Sequence, residues 1–190
     1  MNKAIIIVMM AFCALILQGC VVAVVGAGAG VTKVASDPRS TGTQVDDTTL
    51  NSRVSTRLKN EPELKGYRII ATAYNGNILL TGQAANQSII SKAVSIVQDV
   101  EGVNKVYNQI RIADKVSAGT MSNDAWITTK VKSNLIANKQ TKARDIKVIT
   151  ENSEVFLIGI VTYEEGQLAA QVASKVSGVT VVNTIFTYTD

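Results

Sequence analysis

The stretch GVNKVYNQI, residues 102–110, carries the pattern that decides the fold of this chain. A glycine opens it, and Val106, Asn108, Ile110 and Ile112 then follow at every second position, a period that predicts a β-strand. A second copy, GVTVVNTI, begins at residue 178 with one residue fewer. This recurrence predicts two related structural units in one chain.

Working outward from this stretch, a constant offset relates the two halves of the chain. A shift of 77 residues (124 minus 47) places Asp47 on Asp124 and Gly82 on Gly159, and after a one-residue gap the shift is 76 (169 minus 93). We therefore predict two copies of one domain with a short linker. The predicted layout is a signal peptide at 1–19, a lipidated N-terminus and flexible tether at 20–45, domain 1 at 46–112, a linker at 113–122 and domain 2 at 123–190.

Both copies show the same order of local signals. Asp47 and Asp124 are acids ahead of apolar residues spaced four apart, so we predict each as a helix N-cap. Two strands follow around Asn75-Gly76, a strong type I′ hairpin signal, or around the weaker Asn152-Ser153. A second amphipathic helix and the last strand complete an α-β-β-α-β unit. The predicted class is α+β, with a three-stranded sheet covered by two helices in each copy.

The N-terminus has the features of a bacterial export signal. Lys3 precedes an uncharged apolar run from Ala4 to Leu17, which is shorter than a membrane span. Leu17-Gln18-Gly19-Cys20 resembles a lipobox, which predicts cleavage after Gly19 and lipidation of Cys20. Val21, rather than an aspartate, follows the cysteine, which favours passage to the outer membrane. An uncleaved anchor helix reaching about Val31 and plain secretion remain open as alternatives.

Composition excludes several classes of site. The 190 residues include no histidine, and both cysteines, Cys13 and Cys20, lie in the N-terminal segment. The commonest general base and the thiolate and imidazole metal ligands are therefore missing from the predicted domains. The net charge of +4 does not by itself imply a nucleic-acid partner. We predict no catalytic residues, no metal, no cofactor and no enzymatic activity.

The repeat unit resembles a known family. A glycine that closes the hairpin, Gly82 or Gly159, and the G-V-x-x-V-x-N-x-I pattern are similar to those of the BON domain. The resemblance to envelope lipoproteins with two BON domains implies a periplasm-facing protein that maintains outer-membrane integrity. It also implies enrichment at the division site and links to outer-membrane protein assembly and cell-wall remodelling.

The first helix of the second copy carries the candidate functional surface. Ile127, Val131 and Leu135 define its core stripe. Trp126 and Ile136 lie about 140° to either side of the centre of that stripe, so we expect both to be exposed. The first copy has Thr49 and Lys59 at these positions. Residues 130–147 add six basic residues against one acid, Asp145.

An exposed indole among lysines is typical of a lipid headgroup interface. The family resemblance implies that this helix binds anionic phospholipid, phosphatidylglycerol or cardiolipin, through Trp126 and Ile136. Lys130 and Lys132 are added to the predicted contact set from charge and spacing. Two alternatives stay open: the two apolar side chains pack between the domains, or they anchor a protein partner, which would make the chain a periplasmic interaction scaffold.

Overall fold

The computed structural model of the chain describes residues 40–189. The predicted signal peptide, Cys20 and most of the predicted tether lie outside the described residues. The described residues belong to one compact unit, Ala35–Asp190. Among them, no helix combines the length and apolar character that crossing a bilayer requires.

The two copies have the same sequence of elements. Copy one contains α1 (Thr41–Asn60), a 3-10 turn (Pro62–Leu64), β1 (Arg68–Tyr74), β2 (Asn77–Ala84), α2 (Gln87–Gln98) and β3 (Lys105–Ile112). Copy two contains α3 (Ala118–Ala137), a 3-10 turn (Ala143–Asp145), β4 (Ile146–Glu151), β5 (Glu154–Thr162), α4 (Tyr163–Ser174) and β6 (Val181–Thr189). The predicted α+β class and α-β-β-α-β order are confirmed.

Each sheet has three strands in sequence order, with an antiparallel hairpin followed by a parallel strand. Asn75 and Gly76 have φ of 50° and 73°, and Asn152 and Ser153 have 50° and 65°. Positive φ at both central residues is what a type I′ turn requires. The weaker sequence signal in copy two therefore forms the same kind of turn as the strong one.

The predicted N-caps were wrong. α1 begins at Thr41, capped by the Ser40 hydroxyl, and α3 begins at Ala118, capped by Ser117. Each long helix thus starts inside the segment predicted as tether or linker. The signal was present in the sequence, because S-T-G-T at 40–43 and S-A-G-T at 117–120 are also 77 residues apart.

The two aspartates instead join each long helix to its hairpin. The Asp124 carboxylate is buried and accepts hydrogen bonds from the backbone N–H groups of Asn152 (2.7 Å) and Ser153 (2.8 Å). Asp47 accepts from Asn75 and Gly76 in the same way, at 2.6 and 2.9 Å. A turn whose N–H groups point at a helix needs an acceptor there, and the acid supplies it.

Each copy has its own hydrophobic core between its helices and one sheet face. The other sheet faces pack on each other through Tyr74, Leu79, Phe156 and Ile158. The helices of both copies therefore lie on the outer sides of the two sheets. Because Ala35–Asp190 contains all three clusters, we expect this unit to fold without the residues before it.

Polar contacts across the sheet interface are reciprocal. Arg68 forms a 2.7 Å ion pair with Glu151, and the Tyr74 hydroxyl donates to the Asp145 carbonyl at 3.2 Å. Under the 77-residue shift, Arg68 is equivalent to Asp145 and Tyr74 to Glu151. Such an exchange of roles is characteristic of an isologous, two-fold interface. The two copies thus pack like the subunits of a symmetric dimer.

Candidate functional site: the outer face of helix α3

Helix α3 has one buried and one exposed face, as its sequence predicts. Ile127, Val131 and Leu135 are fully enclosed in the copy-two core. On the opposite side the Trp126 side chain is 56% exposed and Ile136 is 72% exposed. Neither residue belongs to any of the three hydrophobic clusters. The structure therefore does not use them to pack one copy against the other.

The surface between these two side chains carries no negative charge. Asp124 is the sole acidic residue of α3, and it is buried against the hairpin turn. Apart from Lys132, the remaining exposed positions on this side are small and neutral: Ser122, Ala125, Thr129, Ser133 and Ala137. We call this surface, with Trp126 and Ile136, the outer face of α3.

The corresponding surface of copy one has polar residues in place of Trp126 and Ile136. Thr49 and Lys59 are exposed on α1 at the positions of Trp126 and Ile136. The backbone is built the same way in both copies, so the difference lies in side-chain chemistry alone. Copy two therefore carries an exposed apolar pair that lies outside its hydrophobic core.

Most of the predicted cluster of cations is engaged in structural contacts. Lys142 pairs with Glu165 at 2.8 Å, and Lys147 donates to the Ala73 carbonyl of the other copy at 3.3 Å. Arg144 lies 3.7 Å from the Asp145 carboxylate. Within the part of the chain that the structure describes, Lys132 and Lys139 are exposed and make no side-chain hydrogen bond or ion pair. Of these two, Lys132 lies on α3 itself.

Lys130 is directly beneath the indole. Its ammonium nitrogen lies 3.1 Å from the centroid of the Trp126 ring, a cation–π contact. The same nitrogen donates a 2.5 Å hydrogen bond to the Ser177 backbone carbonyl, beyond the end of α4. Sequence reasoning placed Lys130 near Trp126 but did not predict this second bond, because Ser177 is distant along the chain.

Three glutamates of copy two, Glu151, Glu154 and Glu165, have structural partners. Glu151 is buried between Arg68 and Gln83, and Glu154 pairs with Arg111. Glu165 closes a capping box with Thr162 at the start of α4, and Lys142 lowers the pKa of its carboxyl group. Among residues 40–189, no group of acidic, histidine or cysteine side chains is arranged to hold a metal ion. Glu151, Glu154 and Glu165 are therefore each engaged in contacts that hold the fold together.

Comparisons with known proteins agree with this architecture. The BON domain family matches residues 46–114 and 123–189. The chain is 47% identical over 175 residues to an outer membrane lipoprotein, DolP, of Haemophilus influenzae, covering 92% of this chain and 91% of the relative. It is 47% identical over 153 residues to a 21 kDa hemolysin of Actinobacillus pleuropneumoniae, covering 80% and 79%.

A more distant relative extends the comparison. The chain is 27% identical over 150 residues to the osmotically-inducible protein Y of Escherichia coli, covering 77% of this chain and 75% of that protein. Both matched segments include the hairpin glycine and the terminal strand from which the repeat was recognised. With two such domains spanning most of its length, this chain belongs to the BON domain family.

Proposed function

We propose that this protein is an outer-membrane lipoprotein, anchored through Cys20 and facing the periplasm, that binds anionic phospholipid through the outer face of α3. Trp126 and Ile136 insert among the headgroups, and Lys130 and Lys132 supply positive charge. The relative named an outer membrane lipoprotein supports the location. The proposal assigns a binding role and no catalysis.

One observation carries the proposal. An indole and an isoleucine are exposed on a face without acids, whereas the equivalent positions of the sister domain are polar. Large apolar side chains exposed together on an otherwise polar surface mark an interaction site. The indole's apolar body and N–H donor suit the boundary between acyl chains and headgroups. Adjacent ammonium groups favour anionic over neutral lipid.

The length of the tether allows both attachments to be made at once. The 20 residues from Cys20 to Ser40 (40 minus 20) can span at most about 70 Å. A unit of this size has a radius of gyration of about 15 Å. α3 can therefore reach the leaflet that holds the lipid anchor, wherever the chain enters the unit. The second contact is then intramolecular, so a weak headgroup affinity suffices.

Co-sedimentation of the Ala35–Asp190 unit with vesicles tests the proposal. We expect binding to phosphatidylglycerol or cardiolipin vesicles and not to phosphatidylcholine vesicles. Trp126→Ala should weaken it about ten-fold, because much of the burial energy of one large apolar side chain is lost. Thr49→Ala, at the equivalent position of copy one, is the matched control and should have no effect. Vesicle binding that Trp126→Ala leaves unchanged would refute the proposal.

A transplant offers the converse test. Thr49→Trp with Lys59→Ile places the apolar pair on α1 of copy one, which shares the helix geometry of α3. In a Trp126→Ala, Ile136→Ala background, the transplant should restore part of the vesicle affinity. Continued absence of binding would show that other features of copy two are required.

In the cell, we propose that this contact supports envelope integrity and enrichment at the division site. A fluorescent fusion of the full chain should lose septal enrichment on Trp126→Ala while staying in the outer-membrane fraction. If enrichment is lost although vesicle binding is retained, the outer face of α3 would instead serve a protein partner, such as one in outer-membrane protein assembly or cell-wall remodelling.

A further inference from the structure

The position of Lys130 separates it from the other cations of copy two. Its ammonium group is in contact with the Trp126 ring and hydrogen-bonded to the Ser177 carbonyl. The residue is half-buried, whereas Lys132, two positions along the same helix, is exposed. An ammonium that already has a ring on one side and a carbonyl on the other has less of its surface free for a phosphate.

The acceptor of that hydrogen bond is held by the fold. Gly178, the next residue, has φ of +96°, a left-handed conformation that favours glycine. A Cβ there would lie 3.2 Å from the Ile127 side chain, so this turn packs closely on α3. The Val179 N–H also donates to the Val176 carbonyl across the turn, at 3.1 Å. The Ser177 carbonyl is therefore a fixed point to which Lys130 ties α3.

Copy one contains the same contact without the indole. Arg53, 77 residues before Lys130, donates to the Glu101 carbonyl at 3.1 Å. Glu101 precedes Gly102, whose φ is +92°, as Ser177 precedes Gly178. Thr49 stands where copy two has Trp126, so in copy one no aromatic ring accompanies this contact. The hydrogen bond from a basic side chain to this turn is thus common to both copies. In copy two the Trp126 ring also contacts the basic side chain.

We infer that Lys130 is a positioning residue, which holds the indole in its lipid-contacting orientation, and that Lys132 provides the charge that selects anionic headgroups. This inference rests on the proposed function. Because Lys130 already restricts the Trp126 ring, the ring loses less rotamer freedom when it enters the headgroup layer. The entropic cost of binding is therefore smaller. Lys132 is exposed and is not tied to a carbonyl, so its ammonium is free to approach phosphate oxygens.

Trp126 is the sole tryptophan of the chain, so its fluorescence reports on the ring directly. Time-resolved anisotropy of the lipid-free Ala35–Asp190 unit measures fast indole motion. Lys130→Ala should raise the population of freely moving indole about two- to five-fold, the factor expected from loss of an exposed cation–π contact. Lys130→Arg keeps the charge and the donor and should behave like wild type. Lys132→Ala is the matched control and should leave the indole unaffected.

The salt dependence of vesicle binding also distinguishes the role of Lys130 from that of Lys132. Lys132→Ala should weaken binding to phosphatidylglycerol vesicles about five-fold at low salt, and the loss should vanish at high salt because it is electrostatic. Lys130→Ala should retain a loss of about two- to five-fold at high salt, since restricted ring motion is not screened.

Unchanged indole motion in Lys130→Ala, or increased motion in Lys130→Arg with an unaltered melting temperature, would overturn the inference. Should Lys130→Ala fail to fold, Lys130→Met, which keeps the aliphatic chain without the ammonium, replaces it and should show the same rise in indole motion. If the wild type does not bind anionic vesicles, the proposed function fails, whereas the lipid-free fluorescence still decides whether Lys130 positions Trp126.

Discussion

At the scale of single residues, the paired buried aspartates show how one side chain can organise a repeat. Each lies in the N-terminal half of its long helix and accepts hydrogen bonds from two backbone N–H groups of a hairpin turn. Hydrogen bonds to an ionised acceptor contribute more than neutral ones. The acid therefore joins the helix to the tip of the sheet, and it makes the same pair of hydrogen bonds in both copies.

Removing this acceptor should destabilise copy two. Asp124→Ala leaves the N–H groups of Asn152 and Ser153 without their partner, which should lower the free energy of unfolding by about 2–4 kcal/mol. Urea unfolding followed by circular dichroism measures the change. Asp124→Asn, which keeps one acceptor oxygen, is the control and should lose less. Equal losses for the two variants would show that the single amide oxygen of asparagine contributes nothing at this position and that the turn requires both carboxylate oxygens.

At the scale of elements, α4 is fastened to the segment that follows α3. The Lys142 ammonium bonds to Glu165 in the first turn of α4, and Glu165 also closes the capping box. The Lys142 side chain and the Thr162 backbone N–H lower the pKa of the Glu165 carboxyl, and Glu165 raises the pKa of Lys142. Each charge therefore favours the other's ionised form in the folded protein.

The sign of these shifts predicts the pH dependence. The pKa of Glu165 is lower in the folded chain than in the unfolded chain. Its carboxylate therefore stabilises the fold at pH values above the unfolded pKa, and this stabilisation is lost as the pH falls through the folded pKa. The raised Lys142 pKa adds stability below its ordinary value, which is lost only in strong alkali. Glu165→Gln keeps a capping-box acceptor but removes the charge.

We therefore expect the melting temperature of the wild type to be slightly higher than that of Glu165→Gln at neutral pH. The difference in melting temperature should disappear in acid, below the folded pKa of Glu165. Thermal melts across this range measure it. Lys92→Gln, which removes the exposed ion pair with Glu63 in copy one, is a control with the Glu165 carboxyl intact. A difference that stays constant with pH would show that the charge of Glu165 has no part in it.

At the scale of the whole molecule, the reciprocal sheet interface makes two small domains into one unit. Glu151 is buried there between the Arg68 guanidinium and the Gln83 amide, each at 2.7 Å. A charge removed from such a site leaves its partners buried without compensation. Packing the sheets together also directs the helices outward, which is how the outer face of α3 becomes accessible.

Glu151→Ala should lower the free energy of unfolding by about 3–5 kcal/mol and loosen the packing of the two copies. Glu154→Ala is the matched control, because it breaks the ion pair with Arg111 at the edge of the same interface. Arg111 is more exposed than Arg68, and an exposed ion pair contributes about 0–1 kcal/mol to stability. Urea unfolding monitored at both Trp126 and the backbone measures the loss and detects any separation into two transitions. Similar losses for both variants would show that burial of Glu151 is not decisive.

The sequence by itself determined the fold class, the repeat and the exposure of Trp126 and Ile136. These properties depend on local periodicity: a stripe of apolar residues at helical spacing is buried, and whatever lies opposite is exposed. Hairpin turns were predictable for the same reason, since Asn-Gly encodes positive φ locally.

Tertiary structure alone decided the role of the buried aspartates, the packing of the two sheets and the partner of Lys130. Each depends on groups far apart in the chain: Asp124 with residue 152, Arg68 with Glu151, and Lys130 with Ser177. An acid that caps a helix and an acid that caps a distant turn look alike in sequence. They differ in which backbone N–H groups the folded chain brings within hydrogen-bonding distance.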